Sequence, residues 1–275
     1  MNDLEFAILL SFIQGITEFL PISSSGHLVI LPTIFGNKDK GQIIDVAAHA
    51  GTLIAVCLYL RFDLLSIFKS IFNFKEKNNN NIKLFYLILL GTFPLIIIGF
   101  IINQLNLSFL RLALTVALSN LFFALCLLYC DKTKISKKLL INDNKNFSWN
   151  KMSYLDAVLI GFSQIFSLIP GASRSGVTIS MARLLGYDRI TSARFSLFLS
   201  IPAISGASLL KIIEISNSDQ IIEYQYLIFI IFMSFLFAYL AINWMMKFLL
   251  HANYNIFVWY RIILGSLIII LLYFN

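Results

Sequence analysis

Two short polar stretches interrupt otherwise apolar sequence, and together they hold residue types suited to handling a phosphate. The first is Gln14-Gly15-Ile16-Thr17-Glu18-Phe19-Leu20-Pro21-Ile22-Ser23-Ser24-Ser25-Gly26-His27. The second is Pro170-Gly171-Ala172-Ser173-Arg174-Ser175-Gly176. In the second, Ser173 is a natural helix N-cap, and Gly171, Gly176 and Ser175 allow the backbone to come close to a ligand. The free N–H groups of a helix start bind anions, and the planar fork of Arg174 suits phosphate oxygens. In the first, Ser23 can cap a helix beginning near Ser24, and Ser25 and Gly26 again leave room for a ligand. Ser24 and His27, at i and i+3, then share a face, the minimum for base-assisted attack by a hydroxyl. Glu18 ends the helix before Pro21, and beside a phosphate it would repel. A divalent cation such as Mg2+ or Ca2+, bridging Glu18 to phosphate oxygens with Gln14 as a further ligand, removes that conflict. Gln14 and Gln164, one turn from the breaks, could orient these groups.

The elements that position these residues are membrane helices. The chain has 275 residues, 59% hydrophobic and 13% charged, with a mean hydropathy of +0.83. A soluble domain carries about 25% charged residues. Apolar runs of helical length recur throughout, at about 42–60, 83–102, 109–130, 190–212, 225–246 and 256–274. The alternating ten-residue segments of a β-barrel are absent. Residues 4–20 stop at Pro21, and the piece at 28–35 ends near Pro32 and Gly36; residues 152–169 stop at Pro170, with a short piece reaching Gly186. Short apolar segments broken by proline and small residues mark re-entrant helices, tolerated only around a protein-lined cavity.

The halves correspond. A shift of 150 residues pairs Gln14 with Gln164, Ser23 with Ser173, Ser25 with Ser175 and Gly26 with Gly176. The expected fold is therefore an all-α polytopic membrane protein with an inverted-topology repeat, about 1–135 and 150–275. Each half holds a re-entrant helix pair and three transmembrane helices, in one membrane domain with no soluble one. An odd number of spans per half turns the second half over, bringing the two tips together near the midplane.

The net charge of +7 lies mostly in loops and points to topology, not to nucleic acid. The loop 61–83 has five basic and two acidic residues, and 131–151 has six lysines and two aspartates. Both are expected in the cytoplasm, with 103–108, 213–224 and the N-terminus outside. The acidic N-terminus suggests no cleavable signal. Cys57, Cys126 and Cys130 read as small core residues, not a disulfide framework. The asparagine run 78–81 reads as a turn, Arg61 and Arg194 as interface residues, His251 as solvated, and Asp45 with His49 as a structural pair.

These residues resemble the bacterial undecaprenyl-diphosphate phosphatase family, the bacitracin-resistance proteins, over the whole chain and both motifs. The resemblance implies hydrolysis of undecaprenyl diphosphate to the monophosphate carrier and inorganic phosphate, which recycles the carrier for peptidoglycan synthesis and confers bacitracin resistance. It implies a plasma-membrane location, a divalent-cation requirement, a polyprenyl diphosphate lipid as partner, and Glu18, Ser24, His27, Ser173 and Arg174 as the functional set. A homodimer is compatible with it. Some members carry a second glutamate where this chain has Gln14, which leaves Glu18 as the only carboxylate of the motif. Ser-Gly-His and Ser-Arg also occur in the phosphatidic-acid-phosphatase type 2 superfamily, but this chain has no Arg-Pro dipeptide and no histidine between Arg174 and His251. The nucleophile stays open between Ser24, His27 and a water. A lipid-phosphate transporter of the same architecture is the competing expectation.

Overall fold

A computed structural model describes residues 3–24, 26–27, 42–72, 80–105, 112–132, 148–216 and 224–274. Ser25 and the apolar piece 28–35 lie outside the described residues, as does most of the loop 131–151.

Ten α-helices and no β-strand make up the described residues: α1 Asp3–Thr17, α2 Gln42–Tyr59, α3 Arg61–Phe72, α4 Asn80–Leu105, α5 Ala113–Asp131, α6 Tyr154–Gln164, α7 Arg174–Leu184, α8 Arg189–Ser216, α9 Tyr224–Phe248 and α10 Asn255–Phe274. Five of them, α4, α5, α8, α9 and α10, are long and apolar enough to cross a membrane, and α2 with α3 makes a sixth, bent pair. Helix α1 and the stretch from α6 through the 3₁₀ turn Ile165–Leu168 are apolar but too short. The protein is thus a multi-pass helical membrane protein. Its outer surface is apolar, with Phe93, Ile96 and Phe100 of α4 exposed. Polar side chains such as Ser11, Gln14, Asn120, Gln164 and Arg261 are buried. Prolines sit inside α4 (Pro94) and α8 (Pro202), as membrane helices allow when neighbours satisfy the freed backbone groups.

Both short helices stop where the chain can no longer hold a helical ladder. After Thr17, residues 18–22 form turns, Pro21 cannot donate to a helix, and a helical turn restarts at Ser24. After Leu168 the chain turns through Pro170 and Gly171, which at φ +94° adopts a conformation that glycine tolerates. Helix α7 then starts at Arg174. Ser23 (φ 73°) and Ser173 (φ 69°) are the non-glycine residues with positive φ among the described residues, and they stand 150 positions apart. Each accepts a cap bond from the residue three positions on, Gly26 N at 3.3 Å and Gly176 N at 3.2 Å.

The packing has the same duality. Helix α1 packs on α9 as α6 packs on α4, and α2 meets α9 as α8 meets α4. Helices α5 and α10 pair with each other, as do α2 and α8. The α6–α4 crossing is very close: a Cβ added to Gly161 would lie 2.4 Å from Gly91 O.

Two expectations need correction. The region 61–72 is helix α3, bent 75° from α2, and not a loop. Its charges had masked an amphipathic period in which Phe62, Leu65, Phe68 and Phe72 face outward, the pattern of a helix lying along an interface. Of the asparagine run, Asn80 and Asn81 begin α4. Asn81 donates to Ser70 Oγ at 3.3 Å, and Asn80 accepts from Asn150 N at 3.1 Å. Arg194, expected at an interface, pairs with Asp63 of α3 at 2.6 Å.

One end of the bundle is tied by a buried carboxylate. Asp131, at the end of α5, accepts from Arg183 Nε (3.0 Å), Arg189 Nε (2.8 Å) and Tyr254 N (3.2 Å), and its backbone carbonyl accepts from Arg183 Nη2 (2.7 Å). Tyr187 donates to Asp156 beside it. Burial, then the Asp131 charge, pushes the Tyr254 hydroxyl well above its usual range.

Candidate active site

The tips of the two broken helices meet at Glu18. Its Oε1 accepts from Arg174 Nη2 at 2.8 Å, an ion pair in which Glu18 is 7% and Arg174 13% exposed. Its Oε2 accepts from Gln14 Nε2 at 2.8 Å and from Ser24 Oγ at 3.0 Å. The helix brings Gln14 and Glu18 onto one face at i, i+4, and the turn at Pro21 folds Ser24 back over the carboxylate. A second bond ties the tips: Ser175 Oγ donates to Leu20 O at 2.8 Å, and exchanges a bond with Ser173 Oγ at 3.1 Å.

Each expected residue except Ser25, which lies outside the described residues, can now be placed. Glu18, Ser24, Arg174 and Gln14 are in direct contact. Ser23 and Ser173 act through their caps, against Gly26 and Gly176, while Ser175 stitches the tips. Gly171 makes the turn into α7, packed against Val116 O, where a Cβ would lie 2.3 Å away. Gln164 is fully buried but turns away, toward Gly91 O at 3.5 Å. His27 holds two other partners. Its Nδ1 donates to Ser23 O at 2.7 Å, which leaves Nε2 to accept from the Tyr260 hydroxyl at 2.6 Å, and the two rings stack. The group on Ser24 is therefore the Glu18 carboxylate.

Two residues at the site escape sequence reading. His49, on α2, places Nδ1 3.0 Å from Gln14 Nε2 and 3.8 Å from Glu18 Oε2. Its pairing with Asp45 at i, i+4 is the obvious sequence inference, and only tertiary packing turns it toward α1. Arg261, on α10, reaches the carbonyls of Gly171 (2.9 Å) and Ala172 (3.1 Å). An arginine inside an apolar span is itself a signal, and Arg261 carried one.

The donor set has some room for a cation. Gln14 Oε1 is buried and accepts no hydrogen bond, one turn from the carboxylate. Among the described residues there is no cluster of three Asp, Glu, His or Cys side chains, so the set is one carboxylate, one amide and a nearby imidazole. That fits a loosely held ion.

The arrangement holds a hydroxyl on a carboxylate, an arginine fork beside it, and the capped start of a helix, at two breaks in a membrane bundle. Comparison with known proteins gives the family. The family model described as bacitracin resistance protein BacA matches residues 7–267. A protein named undecaprenyl-diphosphatase from Pelagibacter ubique (strain HTCC1062) is 39% identical over 270 residues, 97% of this chain and 96% of that protein. Another of the same name from Aliivibrio salmonicida (strain LFI1238) is 37% identical over 263 residues, 94% and 95% of the two chains. With a match over nearly its whole length and relatives that cover it end to end, this chain belongs to the bacitracin resistance protein BacA family.

Proposed function

We propose that the protein hydrolyses undecaprenyl diphosphate to undecaprenyl phosphate and inorganic phosphate. The observation that carries this reading is Ser24 Oγ donating to Glu18 Oε2 while Arg174 holds Oε1. The names and full-length coverage of its relatives favour hydrolysis over transport.

The chemistry follows from those contacts. Arg174 leaves Glu18 to grip the incoming diphosphate, aided by the N–H groups at the start of α7. Glu18, released from its cation, becomes the stronger base and takes the Ser24 proton. Ser24 Oγ bonds to the terminal phosphorus as the bridging P–O bond breaks, and undecaprenyl phosphate leaves with that electron pair. Glu18 returns its proton to the leaving side and then takes one from a water, whose oxygen attacks the phosphoserine phosphorus; the P–Oγ bond breaks, Glu18 gives that proton to Ser24 Oγ, and inorganic phosphate leaves. His27, held by Ser23 and Tyr260, braces the turn that carries Ser24. A divalent cation, held by Glu18 and Gln14 once the amide turns its oxygen inward, would supply charge neutralisation on the phosphate oxygens.

The proposed topology has the N-terminus outside and the basic regions 61–83 and 131–151 inside, in two inverted halves of about 1–135 and 150–275. The 150-residue match of Ser23 and Ser173, and the exchange of packing partners between the halves, support that reading.

Phosphate release from undecaprenyl diphosphate by purified protein in detergent, with Mg2+ or Ca2+ supplied, tests the activity. A single-turnover reaction with terminally labelled substrate tests the route: label is expected on Ser24 and lost in Ser24→Ala. Activity without label on any residue would mean direct attack by water. Full activity after chelation would remove the cation from the scheme.

A further inference from the structure

Arg261 is fully buried, two turns into an apolar span. Its Nε donates to Asn120 Oδ1 at 2.7 Å, and Asn120 Nδ2 returns a bond to the Arg261 carbonyl at 3.2 Å. Its Nη2 is shared between Gly171 O and Ala172 O. Its Nη1 is buried without a hydrogen-bond partner. That nitrogen is aimed at the first turn of α7: a Cβ added to Gly176 would lie 2.8 Å from it. No carboxylate among the described residues pairs with Arg261.

A buried arginine with no counter-charge is costly, and here it faces the positive end of a helix dipole. The ionised side chains bonded to the tips are then Glu18, Arg174 and Arg261, and the first two neutralise each other. One positive charge and a helix N-terminus remain without compensation. Carbonyl anchoring adds direction: with Ala172 O tied to Arg261, the trans peptide points the Ser173 N–H away from it.

We propose that Arg261 is a positioning residue for the oxyanion of the substrate. It ties the Gly171–Ala172 carbonyls back so that the loop presents its N–H groups to phosphate. Its own charge, held behind the first turn of α7, is the one that a bound diphosphate neutralises. This rests on the phosphatase reading for the identity of the anion. Glycine at 176 is explained by the same contact, since any side chain there would displace the guanidinium.

Inorganic pyrophosphate serves as the probe, both as a competitive inhibitor of phosphate release and by calorimetric binding to the purified protein. Arg261→Met is expected to raise the inhibition constant and the lipid KM by about tenfold or more, with a smaller change in kcat. Arg261→Lys keeps the charge but not the fork, and should stay within about threefold of wild type in pyrophosphate affinity. Unchanged affinity in Arg261→Met would overturn the proposal, as would equal weakening by Met and Lys, which marks a scaffold role alone. Should these variants fail to fold, Gly176→Ala pushes the guanidinium from the opposite side without altering charge, and should weaken pyrophosphate several-fold; wild-type affinity there also overturns the proposal. If wild type releases no phosphate from undecaprenyl diphosphate, the activity reading fails, while calorimetry on the same variants still decides the role of Arg261.

Discussion

Glu18 divides its two oxygens between an arginine and a serine, and that division sets what its replacement should do. Glu18→Gln keeps the shape but can neither take the Ser24 proton nor balance Arg174. Phosphate release should fall by about 10²-fold or more, the scale of lost general-base help. Tyr260→Phe removes one bond from the His27 ring, worth about 1 kcal/mol, so activity should drop by only about fivefold in the same assay. A loss as large as that of Ser24→Ala would instead place Tyr260 on the reaction path. At this scale the sequence was readable where chemistry coincides with a helix break: Glu18, Ser24 and Arg174 are expensive residues at positions an apolar helix does not need them. The role of His49 was not readable, and the signal of Arg261, an arginine in an apolar span, did not say which loop it serves. Their local sequence offers a closer partner or plain apolar neighbours, and what recruits them is the approach of α2 and α10 to the tips.

The paired serines show how an element can be started under strain. At φ near +70° a side chain is disfavoured, yet both positions keep serine, because each hydroxyl caps the turn that follows. Ser173→Gly relieves the backbone while losing the cap, whereas Ser173→Ala loses the cap, about 1 kcal/mol, and keeps the strain. Thermal unfolding in detergent should rank wild type first, Gly second and Ala last. Gly161 makes a related prediction at the α6–α4 crossing. The methyl of Gly161→Ala would meet the Gly91 backbone, so the helices must part, with a loss of about 1–3 kcal/mol seen in the same melt. Element existence was legible from apolar runs and proline breaks. Helix α3 was not, because its charged residues resembled a cytoplasmic loop until Asp63 was seen to pair with Arg194.

Over the whole molecule the site lies a few helical turns from the Asp131 layer. Arg183 is nine residues along α7 from Arg174, and Tyr254 seven residues before Arg261, so the Asp131 layer stands roughly 10–14 Å from the tips at 1.5 Å per helical residue. Asp131→Asn would leave Arg183 buried without a full counter-charge, and should cost about 3–5 kcal/mol of stability in the same thermal melt. The multi-pass helical architecture was legible early, since it follows from the spacing of the apolar runs. The Asp131 layer was not, because its members come from the ends of α5 and α7, the start of α8 and the α9–α10 connection. That layer also bears on time. A path that ran through this layer would have to part Asp131 from Arg183, and at about 3–5 kcal/mol for such a separation the parted form holds roughly one molecule in a few hundred to a few thousand. Even if the bundle flexes within microseconds, headgroup passage by that route would be a rare event against turnover at the tips. The lipid product should therefore not leave between Asp131 and Arg183.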